Sequence, residues 1–168
     1  MLNGKKVLIT GHTGQIGHAV AEYWAPRCEL WGLARYSRPG SREAAESMGL
    51  VPVVCDLTNG DFNSVPGDFD FVVHFAANTN PATQDEGMED NAVATGLLMH
   101  HCRGVQAFLH VSTTGVYSRH PDPFHRYREG DRIGGATDYA PFYGGSKTPC
   151  RRGPWTTPGA LPKSVRAK

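Results

Sequence analysis

Val7-Leu8-Ile9-Thr10-Gly11-His12-Thr13-Gly14-Gln15-Ile16-Gly17 is the stretch that decides how this chain reads. A short apolar run without alternation is what a central parallel strand shows when helices cover both faces of its sheet. The run breaks at Gly11 and passes through Gly14 and Gly17 into a helical stretch, Gln15 to Trp24. In such a break Gly11 permits a tight turn, Gly14 lets the backbone approach a pyrophosphate with no Cβ in the way, and Gly17 lets the helix pack closely on the strand. The N–H groups and positive dipole end of that helix favour phosphate charge. A purely structural turn would carry similar glycines, so the motif gains weight from its surroundings. No Gly-Lys-Ser/Thr follows, which disfavours a Walker-type loop.

Outward from this stretch the alternation of strand and helix continues. Glu29 to Ala34 reads as a second strand, Arg42 to Met48 as a helix with Ser41 as its N-cap and Gly49 as its stop, and Val51 to Cys55 as a third strand. Phe69 to Phe75 is a fourth strand and Val105 to Ser112 a fifth. Between them a helix from about Met88 to Cys102 carries Val93, Leu97, Leu98 and His101 or Cys102 at three-to-four spacing. This order demands right-handed parallel crossovers, so the expected fold is α/β: a doubly wound parallel sheet of Rossmann type, with ligands at the carboxyl ends of the strands.

Composition sets outer bounds. With 168 residues the chain is long enough for one α/β core, and a formal net charge of +1 gives no basic field for nucleic acid. Cys28, Cys55, Cys102 and Cys150 are widely spaced, which points to reduced cytoplasmic thiols rather than a disulfide framework. Val7 to Ile9 is too short for a secretory leader, and no run approaches a membrane span. Adjacent His100 and His101 point to different helix faces, so no metal site is implied. The expectation is a cytoplasmic protein with a small-molecule substrate, no nucleic-acid or membrane partner, and a composition compatible with a homodimer.

The strand ends hold the candidate chemistry. Asp56, after the third strand, reads either as an acceptor for an adenine amine or as a turn-capping carboxylate. Ala76 and Ala77, after the fourth, are small enough to let backbone approach a cofactor, whereas His74 reads as a packed strand residue. The fifth strand runs out into Ser112-Thr113-Thr114, hydroxyls placed where substrate should lie. Tyr143 and Lys147 stand one helical turn apart on one face, which brings an ammonium towards a phenol. A phenol of pKa near 10 needs roughly three units of depression, about 4 kcal/mol, to exchange protons at neutral pH. The lysine and a positively charged nicotinamide ring could supply it.

These motifs together resemble the N-terminal part of the extended short-chain dehydrogenase/reductases, the NAD-dependent epimerase/dehydratase group. Thr10-Gly11-x-x-Gly14-x-x-Gly17 is similar to the family's T-G-x-x-G-x-x-G, Asp56-Leu57 to its adenine-side acid, and His74-Phe75-Ala76-Ala77 to its H-x-A-A strand end. His110 to Tyr117 resembles its h-h-S-[ST]-x-x-V-Y segment, and Tyr143-Gly144-Gly145-Ser146-Lys147 its Y-G-x-S-K. The resemblance spans residues 5 to 147 in the family's motif order. It implies catalytic roles for Thr113, Tyr143 and Lys147, with Asn91 helping to hold the active site. It also implies a cofactor site made of Gly11, Thr13, Gly14, Gln15, Ile16, Gly17, Arg35, Asp56, Leu57, Ala76 and Ala77. NAD-preferring relatives end the second strand in an acid; here Leu33-Ala34-Arg35-Tyr36-Ser37-Arg38 has none, and Arg35 and Arg38 could clamp a 2′-phosphate. The expected cofactor is therefore NAD(P), leaning to NADP.

After Lys147 the pattern changes. Thr148 to Pro162 has no apolar periodicity and frequent prolines, and from residue 148 onward there are five basic residues and no acid. The expectation is a Rossmann domain over residues 1–147, incomplete at its C-terminus, followed by an irregular basic segment over 148–168, disordered or read out of frame. Pro149 is expected to stop the helix just beyond Lys147. The leading function is an NAD(P)-dependent oxidoreductase or epimerase/dehydratase acting on a nucleotide-sugar or related hydroxyl or carbonyl compound, with little or no turnover in the chain as it stands. A non-catalytic dinucleotide-binding module is the alternative. An adenosyl-binding methyltransferase-like fold is a third reading, against which Tyr143-x-x-x-Lys147 argues.

Overall fold

The computed structural model describes residues 2–134 and 141–152. The chain divides into two compact units, Met1–Ala77 with Leu97–Val111, and Asn78–Gly96 with Ser112–Lys168.

The first unit is built on a five-stranded parallel sheet in the order β3-β2-β1-β4-β5. Its strands are β1 (Lys6–Thr10), β2 (Glu29–Ala34), β3 (Val51–Val54), β4 (Phe71–His74) and β5 (Ala107–His110). The register runs Val7 beside Leu30 and Phe71, and Val72 beside Phe108. Helix α1 (Gln15–Trp24) follows β1 and α2 (Ser41–Ser47) follows β2. Because successive strand residues face opposite sides, Leu8 and Val72 pack into one core with Leu33, Leu98 and Cys102, while Val7 and Ile9 pack into another with Ala21, Leu30 and Ala45. The central strands are therefore packed on both faces, the condition that makes β1 apolar from Val7 to Ile9, while the edge strands β3 and β5 stay partly exposed. The predicted doubly wound sheet is the fold observed.

Details differ from the sequence expectation. Ser41 does not cap α2; its hydroxyl donates to the Arg38 carbonyl, and the cap is Gly40 in the left-handed region at φ 77°. Strands β4 and β5 are shorter at both ends than their apolar runs, since pairing stops where the neighbouring strand stops.

In the second unit, the helix expected to start at Met88 starts earlier. Thr83 caps α3 (Gln84–Gly87) by accepting a hydrogen bond from the Glu86 N–H. A π-helical segment, Met88–Val93, follows and passes into α4 (Ala94–His101), whose last residues belong to the first unit. Helix α5 (Tyr143–Arg152) continues through Pro149 rather than ending there. A proline removes one backbone donor from a helix, so the expected stop gives way here to a helix that runs on with one hydrogen bond fewer. The remainder of the expected basic segment, residues 153–168, lies outside the described residues, as do residues 135–140.

At the N-terminal edge of the sheet Asp70 acts as a clasp. Its carboxylate accepts from Lys5 Nζ (2.9 Å), the Lys6 N–H (2.9 Å) and Gln106 Nε2 (2.7 Å). The hydrogen bond from Lys6 N–H, then that from Lys5, holds its carboxyl below the usual range. A depressed folded-state pKa gives stability that is complete above the unfolded value and lost as pH falls through the folded one. Asp70→Asn should therefore lower the melting temperature at pH 7, and the difference from the parent should close as the pH drops below about 4, measured by thermal melts across a pH series.

Candidate functional site

The glycine turn sits where the strand order reverses, between β1 and β4, the position at which open parallel sheets bind ligands. Gly11 has φ 71°, and a Cβ there would stand 2.6 Å from the Ala76 nitrogen. The turn closes with a hydrogen bond from the Gly14 N–H to the Gly11 carbonyl (3.0 Å). Gly17 packs against that same carbonyl rather than against the strand itself, and a Cβ would overlap it. Gly14 differs, being extended at φ −94° with only the Gly11 carbonyl near a built Cβ, at 3.4 Å. The fold thus demands glycine at 11 and 17 but leaves space at 14, where a bound phosphate would need it.

Thr13, Gly14, Gln15 and Ile16 are exposed, Ile16 at 65%, and the first turn of α1 carries no acidic side chain to compete for an anion. Thr10, a residue to which the sequence reading gave no separate role, fixes the floor of this turn. Its hydroxyl shares a hydrogen bond with His74 Nδ1 (2.7 Å) and accepts one from the Ala76 N–H (3.2 Å). The buried His74 is accordingly a strand-end tie, and Ala76 and Ala77 are half-buried beside the turn. The signal for Thr10 was its place directly before the first glycine.

Asp56 caps the short turn Leu57–Asn59, accepting from the Thr58 N–H (3.0 Å) and hydroxyl (2.8 Å). Partial burial pushes its carboxyl up, but the Thr58 hydrogen bonds and the Arg35 charge hold it below the usual range. The capping role is real, and it leaves the adenine-side role compatible. Arg35 is exposed at the end of β2, within electrostatic reach of Asp56.

The second unit gathers Asn91, Thr113, Tyr143 and Lys147. Asn91 lies in the π segment and is buried; its Oδ1 accepts from the Asn78 N–H (2.7 Å), and its Nδ2 donates to the Asn78 carbonyl (2.8 Å) and to Ser146 Oγ (2.9 Å). Ser146 Oγ donates in turn to the Tyr143 carbonyl (2.8 Å). Asn91 is thereby tied to the turn of α5 that carries both Tyr143 and Lys147. Ser146 was visible in the sequence only as one letter of a motif. The Thr113 hydroxyl accepts from the Gly115 N–H (3.1 Å), capping the turn Thr114–Val116.

Lys147 is fully buried and Tyr143 half-buried. Burial pushes the Tyr143 phenol above its ordinary 10, so the depression expected from Lys147 and a nicotinamide ring would have to offset that burial as well. Among the described residues no three side chains are grouped as metal ligands, and no helix is long and apolar enough to cross a membrane.

The family model described as the NAD dependent epimerase/dehydratase family matches residues 7–141. Among solved structures, the UDP-N-acetylglucosamine 4-epimerase of Methanobrevibacter ruminantium, in complex with UDP-N-acetylmuramic acid, is similar at 22% identity and TM-score 0.72, over 89% of this chain and 49% of that one. The Bordetella bronchiseptica enzyme WbmH, in complex with NAD+, is similar at 25% identity and TM-score 0.70, over 90% and 51%. The UDP-glucuronic acid 4-epimerase of Bacillus cereus, in complex with NAD, is similar at 22% identity and TM-score 0.67, over 84% and 48%. The chain spans about half the length of these proteins. No curated protein sequence matches it.

The turn geometry separates the glycines by experiment. Gly17→Ala should destabilise the chain by about 1–3 kcal/mol through overpacking, whereas Gly14→Ala should stay within about 0.5 kcal/mol of the parent, both read from urea melts.

Proposed function

Because the chain belongs to the NAD dependent epimerase/dehydratase family, we propose that it forms the dinucleotide-binding half of a cytoplasmic NAD(P)-dependent epimerase, dehydratase or related oxidoreductase. Its substrate would be a nucleotide-linked sugar or a related hydroxyl or carbonyl compound. One observation carries the reading: the turn packs too tightly for a side chain at Gly11 and Gly17 yet stands open at Gly14. Gly14 is also the N-cap of α1, where the helix's free N–H groups would meet a phosphate.

In this reading Gly11, Thr13, Gly14, Gln15, Ile16 and Gly17 hold the pyrophosphate, Ala76 and Ala77 line the approach, and Asp56 with Leu57 meets the adenine. The exposed Arg35, in place of an acid at the end of β2, favours a 2′-phosphate and hence NADP. When bound, the nicotinamide supplies hydride transfer. Tyr143 exchanges the proton with the substrate oxygen, Thr113 orients that oxygen, Lys147 lowers the phenol's pKa by its charge, and Asn91 positions α5 through Ser146. A homodimer is compatible with this reading. A non-catalytic dinucleotide-binding module is the second reading, for which the glycine cradle of the first unit suffices.

NADH or NADPH should quench tryptophan fluorescence on binding, and Gly14→Val should weaken binding at least tenfold, about 1.4 kcal/mol, with the melting temperature little changed. Binding unaffected by Gly14→Val would remove the cradle. In a chain extended by a family C-terminal half, Tyr143→Phe should cut turnover by about 10²–10⁴-fold, and undiminished turnover would return the assignment to the binding module.

A further inference from the structure

Two residues outside the expected site join the glycine turn to the end of β2. Tyr36 Oη lies 2.6 Å from the Gly32 carbonyl oxygen and 3.0 Å from His12 Nε2. The carbonyl has no hydrogen to give, so the single phenolic proton points to Gly32. Burial pushes Tyr36 up to about 12, so that proton is present throughout the physiological range. His12 Nε2 must then carry a hydrogen and donate it to Tyr36 Oη. The His12 ring is only 2% exposed, and burial, then the charge of His18, pushes its pKa down against the opposing pull of the Ile9 backbone, which favours the neutral ring. The ring fits because β2 carries glycine at this point: a Cβ at Gly32 would stand 2.9 Å from His12 Cε1 and 2.8 Å from Leu50 Cδ2.

Tyr36 is also the one non-glycine residue with positive φ, 49°, among the described residues. A bulky side chain in that region is uncommon and persists only where its surroundings hold it. Here the phenol closes a loop back to Gly32, four residues earlier. On the other side Ala34 is fixed in the sheet, its carbonyl accepting from the Cys55 N–H (3.1 Å). Arg35 lies between these two anchors, with its exposed side chain within electrostatic reach of Asp56.

We propose that His12 and Tyr36 form a latch that fixes the backbone around Arg35, and that Tyr36 is therefore a positioning residue for the choice between NADP and NAD. The inference rests on the dinucleotide-binding reading above. It adds a specific demand, that a phenol with no direct role towards the cofactor controls selectivity through its neighbour.

Tyr36→Phe keeps the ring and removes the latch. The ratio of NADP to NAD affinity, measured by titration calorimetry, should fall about tenfold, and the same substitution in an Arg35→Ala background should leave the ratio unchanged. His12→Ala cuts the latch from the turn side and should give the same shift, which keeps the test alive should Tyr36→Phe fold poorly. Nitrogen-15 spectra of the histidines should show His12 neutral, with its hydrogen on Nε2, in the unsubstituted chain. An equal loss of both dinucleotides would mark Tyr36 as merely structural and overturn the inference. So would an unchanged ratio, a hydrogen on His12 Nδ1, or an unsubstituted chain that does not discriminate. A chain that binds neither dinucleotide overturns the functional reading and the inference with it, a result distinct from binding without selectivity.

Discussion

The close approach of β1 and β4 at their carboxyl ends is the constraint on which the first unit depends. There the Thr10 hydroxyl reaches His74 and the Ala76 N–H, and the Gly11 backbone lies so near Ala76 that no Cβ fits between them. Two parallel strands meeting at a reversal of strand order leave a crevice, and this one is floored by backbone rather than by side chains. Its tightness turns α1 towards the crevice, because the Gly11 carbonyl that closes the turn is the same group against which Gly17 packs. The dipole end of the helix is thus aimed by sterics that would be needed for folding in any case.

The second unit is organised by hydrogen-bond satisfaction instead. Asn91 uses its amide oxygen and both amide hydrogens on Asn78 and Ser146, so the orientation of that side chain is fixed by donor and acceptor counting. It sits in a π segment, where one extra residue per turn re-aims side chains that a regular helix would send elsewhere. Asn78 is held in turn by Glu86 and Asp90. The network runs through polar groups that would be costly to bury unsatisfied, which gives it a defined geometry rather than a soft one.

Much of the fold was legible in the sequence because parallel strands buried on both faces write themselves as unbroken apolar runs. Val7 to Ile9 is the clearest case, while Glu29 to Ala34 and the edge strand Val51 to Val54 are recognisable from shorter apolar stretches that are only partly buried. The glycine turn was legible because only glycine meets its steric demands. The π segment was not, since its residues carry the same spacing of apolar side chains as an ordinary helix. Nor was the run of α5 through Pro149, because local propensity disfavours proline inside a helix. His12 and Tyr36 were missed for a different reason: their hydrogen bond joins positions 24 apart in sequence, and neither residue type signals the other.

Burial sets the terms in the second unit. Lys147 is held with no exposure, a position a lysine side chain occupies only where its surroundings compensate the lost hydration. That lysine stands one turn from a half-buried tyrosine, on a helix whose intervening serine is tied to a buried asparagine. Burial raises the phenol, so in this state the tyrosine keeps its proton. The buried lysine, the half-buried tyrosine and the serine tied to Asn91 thus form one ordered turn of α5 within the second unit.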